Sequence, residues 1–443
     1  MRRLRAGAST VAIVAAVSLL AACSGGTAGE STPTPAKSGE ASAPVAGEPV
    51  TIEWWHNSNT GEGKEYYDKV AADFAAANPG LTIKVEAMQH EDMLTKLDAA
   101  FQANNAPDIY MERGGGELAA HVAAGLTKDL TESAAEEITK IGGSIAGWQH
   151  EGKTYGLPFS IGVVGFWYNK AMFADAGITA APTTWDEMYQ AIDKLKAAKI
   201  EPISVGAGSK WPAAHYWYYF GMRHCSQQVL ADAVTSLEFS DPCFIRAGED
   251  LQKLIAAKPF NSGFLATEAQ GTPESASGLL ANRKVAMELA GHWEPGVMQG
   301  LTEDEKGLGE DTGWFAFPAV TGGQGDQAAQ LGGGDAWGVA ADAPDIAVEF
   351  VKHLLSDEIQ KGFAELDMGL PTNPTATQYV SDPALAGLLD VRDAAPYVQL
   401  YFDTAFGPSI GGAMNDEIAL MFAEKASPQD IVDATQAAAD AEK

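Results

Sequence analysis

The sequence predicts an α/β protein of two domains. Short β-type apolar runs alternate with amphipathic helical segments through most of the chain, which is the pattern of parallel sheets covered by helices. At 443 residues the chain also exceeds what one hydrophobic core usually organises, and 46% hydrophobic residues leave ample material for two.

Taken in order, the folded body opens with "VTIEWWHNS" (50–58), a β-type run. "GKEYYDKVAADFAAANPG" follows, with Tyr66, Tyr67, Val70 and Phe74 on one helical face and Asn78-Pro79-Gly80 as a stop signal. Next come a strand, "LTIKVEA" (81–87), a helix around Met93 to Gln102, and a strand, "DIYME" (108–112). A long β-rich run lies within "YGLPFSIGVVGFWYNKAMF". "TTWDEMYQAIDKLKAAK" begins with a capping box, Thr184 with Glu187, ahead of an amphipathic helix. "RKVAMELAGHW" reads as a strand ending in Gly291-His292-Trp293, and "GGGDAWGVAA" as a glycine turn into a strand, with a helix over 344–355 behind it. Ser427-Pro428 with Asp430 marks a final helix start, proline at its first position.

Ahead of this body, "MRRLRAGASTVAIVAAVSLLAACSGG" has three arginines, an apolar run too short to span a membrane, and small residues before a cysteine. Residues 1–22 are expected to be a secretory signal. "LAAC" resembles the bacterial lipobox, so cleavage would make Cys23 the first residue and its sulfur the attachment point for lipid. Residues 23–49, rich in Gly, Ser, Thr, Pro and Ala, read as a flexible tether. Export places Cys225 and Cys243 in an oxidising compartment, where they are expected to pair, two buried thiols being the alternative.

A formal charge of -30 opposes binding to nucleic acid or to an anionic membrane surface. No CxxC or HExxH occurs, and "TGEGKE" lacks the GK[ST] of a phosphate loop, so neither metal nor nucleotide cofactor is expected.

Ligands of open α/β sheets bind beyond the carboxyl ends of the strands. Polar and aromatic residues recur at those exits: Asn57, Ser58 and Asn59; Glu112 and Arg113; Lys210, Trp211 and His215; His292 and Trp293; Gly333 and Asp335 at the glycine turn. Asp403 completes the candidate set. The stretch "KWPAAHYWYYF" (210–220) packs six rings into ten residues; most are expected in a core, with Trp211 and His215 facing a ligand. Trp54 and Trp55 are expected to divide between core and cleft, and Trp148, Trp167 and Trp185 to be packing.

"NPGLTIKVE", "APDIY", "YGLPFSIGVVGFWYNKAMF", "PTTWDEM" and "KVAMELAGHW" together resemble the extracellular sugar-binding lipoproteins of ATP-binding-cassette importers, in the broad family of the maltose-binding protein. The resemblance implies a two-lobed periplasmic-binding-protein-like fold (class II type), hinged, with the ligand cleft between lobes. It places lobe 1 at 50–158 plus 321–370 and lobe 2 at 159–320 plus 371–443. It further implies a monomer held by lipid on the outer face of the cell membrane, handing its sugar to the importer's membrane subunits. Trp293 and the region of Trp211 match positions that stack on pyranose faces, and Asp108 with the loop to Gly115 matches a polar ligand segment. "KWPAAHYWYYF" looks most like binders of short β-linked, xylobiose-type oligosaccharides.

Sugar chemistry asks for the same groups. A pyranose presents C–H on its faces and hydroxyls at its rim, so it needs aromatic planes with amides, carboxylates and guanidinium groups at their edges. A secreted glycoside hydrolase is the alternative, marked by two carboxylates about 5 to 10 Å apart. A surface adhesin would need no hinged cleft.

Overall fold

The structure is a computed structural model describing residues 49–443. The expected signal, Cys23 and most of the tether lie outside the described residues. Two large sheets organise the body. The first runs in the order Val398–Leu400, Gln330–Val339, Ile109–Glu112, Val50–His56, Leu81–Ala87, with Gly156–Val163 paired to the other edge of Gln330–Val339. Its first two strands in sequence are parallel, Val50 opposite Leu81, and the long Gln330–Val339 strand returns antiparallel, Trp337 opposite Met111. The second runs Thr312–Ala316, Gly165–Asn169, Val285–Ala290, Glu201–Ser204.

Helices cover both sheets, and the apolar residues gather accordingly. One core joins Ile52, Trp54, Tyr67, Leu97, Ile109, Trp337, Phe350 and Phe363 around the first sheet. The other joins Phe166, Trp185, Tyr216, Phe244, Met287, Phe317 and Ile418 around the second, with a satellite cluster at Trp167, Leu280 and Leu308. Ala329 and Leu331 pack in the second core, so the chain crosses to the first only within the strand that follows. The β-rich run expected as one piece is two strands, Gly156–Val163 and Gly165–Asn169, one in each sheet.

Three crossings lie side by side. Gly156–Val163 pairs with Gln330–Val339, and the segment at Leu370–Pro371 lies against it, Ile161 N–H donating to Leu370 O at 3.1 Å and Ser160 bridging Pro371. Few residues join the two cores at these crossings, and a hinge is built from a few such connecting positions that absorb the change in φ and ψ.

The aromatic helix Trp211–His224 is buried at every position from 212 to 224. Rings on all its sides are tolerated because it runs through the second core: Tyr216 meets Phe166 and Phe260, Trp217 stacks on Phe244, and Phe220 packs on Trp185. At its end Cys225 is bonded to Cys243, Cα atoms 5.1 Å apart. Thr184 and Glu187 form the capping box expected of them, and Ser427 and Asp430 form a second. "GGGDAWG" is strand rather than turn. Gly334 faces Ser160 so closely that a Cβ would stand 1.9 Å from its carbonyl oxygen, and glycine lets the two strands meet flat.

Candidate functional site

Between the two cores lies a cavity that opens to solvent. From the first-core side it is lined by Asn57 through Gly63, Gln89, His90, Arg113, Phe159 and Asp335, and from the second by Trp211, His215, Gly271, His292, Trp293, Gly300, Tyr401 and Asp403. Strand Val50–His56 ends at its edge, and helix Gly61–Ala77 starts there, its first-turn N–H groups free of intrahelical partners.

The second-core wall is a continuous run of rings. His215 stacks on Tyr401 with centroids 5.1 Å apart at 19°, Trp211 follows at 5.1 Å from His215, and Trp293 meets Trp211 edge-on at 6.0 Å. Local sequence explains these placements. Trp211 precedes Pro212, which suits a first helical turn, and Lys210 before it takes a left-handed φ of 65°. Trp293 folds back over Gly291, where a Cβ would stand 2.3 Å from the indole. His215 and His292 are buried without a charged partner, and both are held down to a pKa of about 3 by desolvation, so each is neutral at physiological pH. His292 is anchored by its Nε2, 2.9 Å from Ser160 Oγ, whose proton goes to Leu370 O.

The first-core wall is polar. Arg113 pairs with Glu117 one turn along the next helix, has Asp403 Oδ2 at 3.8 Å from its Nη1, and leaves its Nε buried and unpartnered. Asp403 is held in turn by Thr404 N–H at 3.0 Å and Asn415 Nδ2 at 3.3 Å. Asn57 Nδ2 lies 3.2 Å from His90 Nδ1. Asp335 sits one residue before Ala336, which pairs with Glu112 across the sheet, so its strand brings it beside Arg113. Burial pushes its carboxyl above the ordinary value, with Arg113 and His90 opposing.

The two sides touch at the mouth. Trp211 Nε1 donates to Glu91 Oε1 at 2.9 Å, bridging an aromatic of the second core to a helix packed in the first. Gly300 fits against Thr60, where a Cβ would come within 2.5 Å of Oγ1, and Gly61 has Gly300 Cα in the same tight place.

Ten of the expected residues line this cavity: Asn57, Ser58, Asn59, Arg113, Trp211, His215, His292, Trp293, Asp335 and Asp403. Three do not. Glu112 is wholly buried on the far side of its strand and is engaged by His121 Nδ1 at 2.8 Å, because alternate residues of a strand face opposite ways. Lys210 turns outward to an ion pair with Asp416 at 2.5 Å. Gly333 lies beneath Tyr401, and its neighbour Gly334 is the residue that reaches the cavity. Trp54 and Trp55 are both core, Trp55 under the Lys96 ammonium at 4.1 Å, and Asp108 accepts Glu53 N–H at 2.8 Å away from the cavity. Trp148, Trp167 and Trp185 are buried as expected. Tyr401, Gln89 and His90 were not singled out by sequence; Tyr401 stands in an aromatic stretch, "YVQLYFDTAF", that could have marked it, whereas Gln89 and His90 have no such neighbours.

Two lobes around a hinged, ring-walled cavity define a ligand-capturing protein of the two-domain solute-binding class. The chain belongs to the bacterial extracellular solute-binding protein family, whose model matches residues 57–361. It is 25% identical over 379 residues to the diacetylchitobiose binding protein DasA of Streptomyces coelicolor, covering 84% of this chain and 83% of that one. It is also 25% identical to the multiple sugar-binding protein of Streptococcus mutans, over 72% of this chain and 74% of that protein. A putative binding protein of Brucella abortus is 29% identical over 196 residues; the match spans 43% of this chain and about half, 46%, of that relative. Among solved structures, one from work on xylan utilization by the thermophilic bacterium Caldanaerobius polysaccharolyticus superposes with a TM-score of 0.81 at 25% identity, over 88% of this chain and 99% of that one. A chitin oligosaccharide binding protein does so with a TM-score of 0.79 at 24% identity, over 89% and 99%. The hydrolase alternative finds no support among the sequence relatives just given, which are named as binding proteins. Among the described residues no helix is long and apolar enough to cross a membrane.

Proposed function

We propose that this protein captures a short oligosaccharide outside the cell, held there by lipid on Cys23, and delivers it as a monomer to the membrane subunits of an ATP-binding-cassette importer. The observation that carries the reading is the pairing of the ring wall, Tyr401–His215–Trp211–Trp293, with a polar wall of amides, a guanidinium and carboxylates across one cavity. Rings take the C–H faces of pyranoses and the polar edge takes their hydroxyls. A β-linked, xylobiose-like ligand is favoured, since DasA is named for diacetylchitobiose and the 25%-identical structure comes from work on xylan utilization, both β-linked sugars. Lobe boundaries at 50–158 plus 321–370 and 159–320 plus 371–443 belong to the same reading, except that the return to lobe 1 falls within the Gln330–Val339 strand and not at 321, because Ala329 and Leu331 pack in the second core.

Thermal shift against xylobiose, cellobiose, N,N′-diacetylchitobiose, maltose and raffinose tests it, because a ligand at about 100 times its Kd adds about 2.7 kcal/mol of stability. The expected result is a shift with β-linked disaccharides, accompanied by a smaller radius of gyration in solution scattering. Uniform silence across the panel would refute it.

A further inference from the structure

The cavity carries an uneven set of charges. Glu62 and Glu305 stand at its mouth and Asp335 and Asp403 inside, while Arg113 is the single lysine or arginine among its lining residues. Arg113 is already engaged from two sides, by Glu117 and by Asp403. Lys210, the nearest lysine in sequence to the ring wall, is tied to Asp416 outside. His215 of the ring wall and His292 beside Trp293 are neutral, so they add no positive charge.

Asp335 lines the cavity beside Arg113, half-buried, and takes no hydrogen bond from any described residue; Trp293 Nε1 and the Tyr401 hydroxyl on the same cavity are likewise unpartnered. A carboxylate accepts hydrogen bonds and donates none. Half-buried and without a donor from the protein, the Asp335 carboxylate takes its hydrogen bonds from what enters the cavity, water or a ligand. Hydroxyls or an amino group supply donors; a second carboxylate or a phosphate supplies like charge, which a low-dielectric cleft penalises more than water does.

We infer that the site is built to exclude acidic sugars, with the unpartnered Asp335 as the excluding residue, and that it admits neutral or amino-bearing ones. The inference rests on the sugar-binding reading above and narrows its substrate class. Uronic acids and sugar phosphates bring their charge against Asp335 and Asp403, and among the described lining residues the one guanidinium, Arg113, is already ion-paired. The neutral sugar's hydroxyls instead complete the coordination of Asp335.

Matched probes test this: xylobiose against glucuronosyl-xylose, and cellobiose against cellobiouronic acid, by calorimetric titration on the native protein and on Asp335→Asn and Asp335→Ser. On the native protein the neutral member of the pair that binds is expected to be tighter by about a hundredfold. In both variants that ratio is expected to shrink by about tenfold or more, with the neutral sugar itself weakened by loss of a charge-assisted bond. A purely structural role for Asp335 would weaken both probes equally and leave the ratio alone. Acidic probes binding as well as neutral ones, or a ratio unmoved in both variants, overturns the inference while leaving the sugar reading in place. Binding of none of the four probes, with the wider panel also silent, overturns both.

Discussion

Trp211→Phe separates two jobs that one indole performs. The phenyl ring keeps an aromatic face toward the cavity and toward His215, 5.1 Å away, but it cannot make the 2.9 Å bond from Nε1 to Glu91 Oε1. That bond joins the start of the helix that runs through the second core to a helix anchored by Met93, Leu97 and Phe101 in the first, so it is broken whenever the lobes part. A hydrogen bond to a charged group contributes about 1.5 to 3 kcal/mol. Both partners are only partly buried, which places the value near the lower end. The closed state is therefore expected to lose about 1.5 kcal/mol, and ligand affinity about tenfold. Ligand-free stability should hardly change, because opening already forfeits the bond. Calorimetric titration with the best sugar of the panel, beside thermal melting without it, measures both quantities. A double-mutant cycle with Glu91→Ala should return a coupling near 1 kcal/mol. Native affinity in Trp211→Phe, or a large drop in ligand-free melting temperature with affinity intact, would refute the claim that this contact serves closure.

Trp293→Ala should weaken binding about ten- to a hundredfold by removing one ring face, while Tyr216→Ala, fully buried among Phe166 and Phe260, should cost about 3 to 5 kcal/mol of stability with affinity per folded molecule unchanged. Cys225→Ser should destabilise by about 3 kcal/mol without moving affinity, since the bond it breaks closes a short loop within the second core; an unchanged melting temperature would count against this. Glu288 and Glu294 are both buried, and burial raises both pKa values, that of Glu294 to about 8 from the usual 4.5. A carboxyl that stays protonated in the fold but ionises when unfolded makes stability fall as pH rises between those two values, by at most about 5 kcal/mol. Melting temperature should thus decline from pH 4.5 to 8, and Glu294→Gln should flatten the decline; a parallel decline in that variant would remove the pair as its source.

Local chemistry carried much of this protein into view. Strand and helix alternation, the capping boxes at Thr184 and Ser427, and the proline-led starts at Pro212 and Pro428 depend on neighbours a few residues apart, and they appear where the sequence put them. The cavity's aromatic residues Trp211 and Trp293 were legible too, since each stands at a strand exit or helix start beside glycine or proline. Other features hang on contacts between residues far apart in the chain. Whether Glu112 or Arg113 faces the cavity depends on which side of a strand meets the core, and a step of one residue reverses the answer. Lys210 is drawn outward by Asp416, 206 residues away, and Gly333 is roofed by Tyr401, about 70 residues away. The wholly buried aromatic helix exists because the second sheet, Phe244 and Phe402 close around it from every side. Periodicity assigns a face to each element, but only the assembled lobes decide what that face meets, and the unpaired state of Asp335 is a property of that assembly alone.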